Sequence, residues 1–153
     1  MHSRLFSGFS GAGLSEVMHV IDGDTAEIKI GDKVESVRFL GINTPEVANP
    51  YKKEECYGPE ASRRTKELIK AGESVYLIPD TFGPDRDKYG RLLRYIFLSS
   101  GLFVNAELIR EGYAFNYIYD PFEFMQQFDY YEKEARTKKL GLWSSACDYN
   151  QNK

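Results

Sequence analysis

No run of apolar residues in this 153-residue chain approaches the length of a membrane-spanning helix, so no membrane partner is expected. The first dozen residues, Met1 to Ala12, are rich in Gly and Ser and lack a continuous apolar core, so they do not read as an intact signal peptide. They are expected to be a disordered arm, or the remainder of a tag or processed leader. A single domain over 14–147 follows, with 148–153 as a tail. Cysteine is scarce. Cys56 and Cys147 are too few for a disulfide scaffold and lack zinc-site spacing. Two readings stand: two unrelated free thiols, or one bridge tying the C-terminal tail to the loop before the first helix, which implies an oxidising compartment. A positive excess is also missing: Lys and Arg total 20 against 23 Asp and Glu, for a formal charge of -3. That argues against a protein that wraps duplex DNA electrostatically, although not against an enzyme with a small, locally basic site. There is no internal repeat and no interior linker, and the length suits one domain with a real core.

What is present is an ordinary balance of 42% hydrophobic and 28% charged residues, generous in Tyr (11) and Phe (10), which are core material first and base-stacking platforms second. From about Glu16 to Gly41 the pattern is of strands. Val17, Val20, Ala26, Ile28 and Ile30 supply the apolar beats, Gly31-Asp32 sits where a hairpin turn belongs, and Val34 to Leu40 forms a third strand. Gly58-Pro59-Glu60 is a helix start, and Gly72 the expected stop. Ser74 to Ile78 and Arg91 to Phe97 read as strands, and Asn105 to Glu111 as a short helix closed by Gly112. Pro121 is expected to open the longest helix, reaching about Lys139, with Phe124, Phe128, Tyr131 and Ala135 on one face. Glu132–Arg136 and Glu134–Lys138 are its expected supporting pairs. Five strands interrupted by helices fit a small closed barrel of the OB type with three α-helices, an α+β arrangement, better than a doubly wound sheet.

Two segments carry the chemistry. Ile21-Asp22-Gly23-Asp24-Thr25 and Arg38 through Glu46 each read as a strand end running into a loop rich in oxygen-bearing side chains. Taken alone, the first is an ordinary Asp/Gly turn, Glu46 a solvated charge, and Arg38 or Arg91 a water-facing or ion-paired arginine. Together they offer the carboxylates, amide, hydroxyls and guanidinium that a hard cation and a phosphate require.

In combination with Tyr57 through Ser62, Asp87 through Arg91, Val104-Asn105 and Leu142 through Ser144, these strings resemble the staphylococcal nuclease (thermonuclease-like) family, in its order and near its spacings from about Glu16 to Ser145. The resemblance implies a five-stranded OB barrel with three helices. It implies Ca2+ held by Asp24, Asn43 and the Thr44 carbonyl, with Glu46 as general base and Arg38 and Arg91 clamping the phosphate. Lys88 and Tyr89 resemble contacts to a terminal phosphate, and Tyr117 and Tyr119 sit where family tyrosines flank the nucleotide, in a segment one residue shorter here. The implied activity is calcium-dependent, sequence-nonspecific cleavage of single-stranded DNA or RNA to leave 3′-phosphate ends, by a monomeric, secreted or periplasmic enzyme. One departure matters. Asn43 stands where family members commonly carry Asp, so calcium binding is expected to be weaker and turnover slower. The alternatives are a catalytically weak or silent barrel that binds nucleic acid or a protein partner, and an acidic cluster that only stabilises through calcium.

Overall fold

The computed structural model describes residues 13–149; the Met1–Ala12 arm and residues 150–153 of the tail lie outside the described residues. The strands are β1 (Leu14–Asp22), β2 (Thr25–Ile30), β3 (Lys33–Phe39), β4 (Ile42–Asn43), β5 (Ser74–Ile78), β6 (Leu92–Leu98) and β7 (Phe115–Asn116). The helices are α1 (Gly58–Leu68), α2 (Val104–Arg110) and α3 (Met125–Thr137), followed by a 3-10 turn at Gly141–Trp143. Five strands close into a barrel in the order β1-β2-β3-β6-β5, with β5 returning to β1. Every pairing in it is antiparallel except β3 with β6, so the barrel is mixed and the fold is α+β, consistent with the OB architecture.

The inward positions are apolar because a closed sheet has only its interior in which to bury alternate side chains. Val17, Ala26, Ile28, Val37, Phe39, Val75 and Ile96 are fully buried there. Val17 and Val20 both face the core although three residues apart, which a regular strand forbids. A register shift in β1 between Val17 and His19 reconciles them, and a second, between Val20 and Asp22, lies at the strand end that carries Asp22. The β2–β3 hairpin turns through Gly31-Asp32 between the paired residues Ile30 and Lys33, with Gly31 at φ 62°.

Two helix boundaries differ from the sequence expectation. The first helix ends at Leu68 rather than near Gly72, and Gly72 instead donates its N–H to the Val17 carbonyl at 2.7 Å, coupling the turn to the barrel. The long helix begins at Met125, not Pro121. Residues ahead of it are held by tertiary contacts instead. The buried Phe122 ring lies so close to Gly41 that a Cβ there would approach it to 2.5 Å, and Glu123 donates its N–H to Asp80 Oδ1 at 3.0 Å. Phe124, Phe128 and Tyr131 face the main core, while Ala135 joins a second cluster with Leu142 and Trp143. Glu132 pairs with Arg136 at 3.3 Å, whereas Glu134 takes the Tyr130 hydroxyl rather than Lys138.

The two-residue ladder of β4 with β7 has no sequence signal, yet it matters for position: it fixes Asn43 opposite Phe115. Asn105, at the start of α2 and fully buried, completes the bracing. Its Oδ1 accepts the Ile96 N–H at 2.8 Å and its Nδ2 donates to the Leu40 carbonyl at 2.8 Å, tying the end of β3 to β6 just before the Gly41–Thr44 loop.

Candidate active site

The β1–β2 turn and the loop after β3 meet around Asp24. Its carboxylate is 4% exposed, so its oxygens need partners within the protein. Oδ1 accepts the Thr25 hydroxyl at 3.0 Å and Oδ2 accepts the Thr44 N–H at 2.9 Å, across twenty residues of chain. The approach is tight: a Cβ on Gly23 would stand 2.6 Å from Thr44 Oγ1, so only glycine lets the two loops come this close. From the helix side, Thr65 Oγ1 donates to the Gly23 carbonyl at 2.7 Å and holds the turn on α1.

Arg38 joins this loop pair to the space beside it. Its Nη1 donates to the Phe39 and Ile42 carbonyls, both at 2.9 Å, and its Nη2 donates to Asn43 Oδ1 at 3.3 Å and lies 3.4 Å from Asp24 Oδ2. The same arginine lines a cavity of about 670 Å³ together with Lys88, Tyr89, Arg91, Tyr117 and Phe82. Arg91, immediately before β6, has its Nε held by Asp87 Oδ2 at 2.7 Å, with the Asp87 Oδ1 atom accepting the Arg91 N–H at 2.9 Å. Those bonds hold the Asp87 carboxyl below its ordinary range, although burial works the other way. The exposed Tyr89 ring carries Lys88 Nζ and the Arg91 guanidinium 5.2 and 5.4 Å from its centroid. Tyr119 is not among the cavity-lining residues, and its ring lies 5.1 Å from that of Tyr117, at the rim.

Glu46 follows Thr44 and Pro45 in the same loop. Its N–H donates to Glu55 Oε1 at 2.7 Å, its carbonyl accepts the Glu55 N–H at 2.9 Å, and Lys52 Nζ lies 3.8 Å from its carboxylate. Its charge reaches Asp22, a residue that the sequence reading did not assign to the site. The Asp22 carboxyl accepts the Asp24 N–H at 3.1 Å and is pushed up to about 7. Burial is the main cause. The Asp24 charge and a side-chain hydrogen bond with it add to the rise, a backbone bond from Asp24 opposes it, and Glu46 contributes a smaller repulsion. The signal that could have found Asp22 was its place in Asp-Gly-Asp, two residues from Asp24 across a glycine.

The donor set suits a hard cation. Among the described residues no three His, Cys, Asp or Glu side chains gather into a ready metal cluster. The oxygens available here are instead of mixed kind: the Asp22 and Asp24 carboxylates and the Asn43 amide oxygen, with no thiolate or imidazole, a composition that suits a hard cation rather than zinc, while the Thr44 backbone meets Asp24 through its N–H. Arg38 Nη2 lies 3.4 Å from Asp24 Oδ2 and donates to Asn43 Oδ1 at 3.3 Å, so one guanidinium nitrogen reaches both oxygens. Burial is the main cause of the Asp22 rise, and a bound divalent ion would offset the carboxylate repulsion that adds to it.

The loop that carries Glu46 is tied to the C-terminal tail. Cys56 and Cys147 are joined in a disulfide, with Cα atoms 5.9 Å apart, and no free cysteine remains. The free-thiol reading therefore gives way to the bridge.

Comparison with known proteins agrees with this geometry. Residues 36–145 match the family described as Staphylococcal nuclease homologue. The chain is 41% identical over 126 residues to the SPbeta prophage-derived endonuclease YokF of Bacillus subtilis, covering 81% of this chain and 42% of that protein. It is 41% identical over 128 residues to endonuclease YncB of the same organism, covering 82% of this chain and 59% of that protein. Against the thermonuclease of Staphylococcus hyicus the identity is 34% over 145 residues, covering 90% of this chain and 83% of the relative. The chain thus spans about half the length of the two Bacillus proteins. With the barrel, the matched residues and these relatives in agreement, the chain belongs to the staphylococcal nuclease homologue family.

Proposed function

We propose that the chain is a calcium-dependent, sequence-nonspecific nuclease that hydrolyses the P–O5′ bond of single-stranded DNA or RNA and leaves 3′-phosphate ends. The observation that carries this reading is the double placement of Arg38. It is bonded to Asp24 and Asn43 on one side and lines the basic, aromatic cavity on the other, so an oxygen-rich cation site and a phosphate site share one guanidinium. Arg38 and Arg91 face negative charge as it grows on the non-bridging oxygens, and their fixed partners spare the reorganisation that solvent would need. Glu46 orients the attacking water and accepts its proton while the new P–O bond forms, the bond to the 5′ oxygen breaks and that oxygen takes a proton from solvent to leave as a hydroxyl. Lys88 and Tyr89 take a terminal phosphate, and Tyr117 and Tyr119 flank an unstacked base, which favours single strands. Asp24, Asn43 and Thr44 hold the metal, with Asp22 beside them. Calcium held there would supply Lewis-acid stabilisation of the phosphoryl oxygens and would lower the pKa of a coordinated water.

Asn43 offers an oxygen but no charge, so the site binds calcium more weakly than one with a carboxylate there and turns over more slowly. The disulfide supports an extracytoplasmic setting, where calcium is plentiful and thiols oxidise. The test is to incubate wild type and Glu46→Ala with single-stranded DNA, in calcium or a chelator, and to read rate and end chemistry. The expected result is 3′-phosphate ends formed only by wild type with calcium. Activity that survives both the substitution and the chelator would overturn the reading.

A further inference from the structure

The segment 46–55 is a lobe closed at its base. The Glu46 N–H and carbonyl both bond to Glu55, through the side-chain Oε1 at 2.7 Å and the N–H at 2.9 Å. Within the lobe, Asn49 Oδ1 accepts the Tyr51 and Lys52 N–H groups at 2.8 and 3.0 Å, so the turn organises itself locally. The base of the lobe is built into the C-terminal half of the chain. The Glu55 carbonyl accepts the Gly58 N–H at 2.9 Å, and Gly58 lies so close under Glu46 that a Cβ there would stand 2.2 Å from the Glu46 carbonyl oxygen. The next residue, Cys56, is covalently joined to Cys147, and its carbonyl accepts the Tyr149 hydroxyl at 2.9 Å.

We propose that Glu55 is a positioning residue for Glu46, and that the Cys56–Cys147 bond anchors Glu55 so that this clamp holds the general base in place. The proposal rests on the nuclease reading above and assigns a task to residues that reading leaves unused. Glu55 is exposed. A hydrogen bond in water contributes little to stability, so the clamp earns its place through geometry. A small displacement of a catalytic group costs far more in rate than in folding free energy.

The experiment compares kcat, KM and thermal midpoint on single-stranded DNA for wild type, Glu55→Ala, Glu55→Gln, Glu46→Ala and the Glu46→Ala/Glu55→Ala pair. Glu55→Ala is expected to lower kcat about tenfold or more, with KM and the midpoint nearly unchanged. Glu55→Gln keeps an oxygen that accepts the Glu46 N–H and is expected to restore most of the rate, which a purely electrostatic role would not allow. In the Glu46→Ala background, removing Glu55 is expected to cost nothing more. Wild-type kcat in Glu55→Ala, or a further loss in the pair, overturns the clamp. Wild-type kcat in Glu46→Ala overturns the nuclease reading instead, so the two failures are distinct. For the anchor, Cys56→Ser/Cys147→Ser, assayed well below its unfolding transition, is expected to lower kcat in the Glu55 protein but not in Glu55→Ala. An unchanged rate in the Glu55 protein removes the disulfide from the proposal, and the Glu55 series decides the rest even where the serine protein fails to fold.

Discussion

Replacing Cys56 and Cys147 with serine opens a ring of 91 residues of sequence separation, more than half the chain. In the chain-entropy account, a ring of that size constrains the unfolded state by about 4–5 kcal/mol at 25 °C. A domain of this size shifts its midpoint by about 2–4 °C per kcal/mol, so the double-serine protein is expected to melt about 8–20 °C below wild type. The native side should change little. Cys56 is exposed and Cys147 is buried, and a serine hydroxyl at the second position adds only a minor burial cost. The assay is far-UV circular dichroism melting in chelator, so that calcium binding does not mask the difference. It compares oxidised wild type, wild type reduced before the scan, and the double-serine variant. The two thiol-free or reduced forms should melt together. A fall of less than about 3 °C would refute the reasoning, because the ring would then already be closed by residual structure in the unfolded chain.

Three further outcomes follow from particular contacts. Gly23→Ala sets a methyl 2.6 Å from Thr44 Oγ1 and should push Thr44 off Asp24, destabilising the fold by about 1–3 kcal/mol and weakening calcium binding; an unchanged melting midpoint would show that the two loops separate freely. Asn43→Asp adds a unit charge to the cation site, and at about 4 Å from a divalent ion even bulk water leaves about 2 kcal/mol of attraction. Calorimetry should therefore find calcium bound about tenfold tighter or more, and an unchanged dissociation constant removes Asn43 from the ligand set. Tyr95, 1% exposed, has its hydroxyl on Asp80 Oδ1 at 2.6 Å, and burial first and that bond second raise it above its usual 10.0. The unfolded tyrosine loses its proton from about pH 10 upward while the folded one keeps it, so stability is complete below that pH and declines above it. The slope is about 1.4 kcal/mol per pH unit for this group. Tyr95→Phe should flatten the alkaline limb of a stability–pH profile relative to wild type, and equal limbs would assign it to other tyrosines.

The barrel was legible because its strands announce themselves locally. Val37 and Phe39 alternate as a half-buried strand should, and Gly31-Asp32 marks the hairpin. The meeting of Asp24 with Thr44 was inferred only from a family resemblance, since twenty residues separate them and no local pattern reports it. The start of α3 was missed for a similar reason: Pro121 is an acceptable helix opener, but Asp80 and Gly41, distant in sequence, capture the residues after it. Asp22 and Glu55 escaped because each looks like a turn or surface acid until its partners are seen. Cysteine pairing was open in principle, since two thiols give no spacing rule that forces them together.

The single parallel ladder of β3 with β6 sets when the site can exist. Val37, Arg38 and Phe39 pair with Leu92, Leu93 and Arg94, joining strands that a helix and two other strands separate. Contacts of such long range are slow to form, because closing the long intervening chain costs entropy. Arg38 lies inside that ladder and Arg91 directly precedes it, so the two guanidinium groups assemble only as the barrel shuts. A nascent or truncated chain lacking β6 retains the acidic turn but leaves β3 with an open edge and half of its phosphate grip missing.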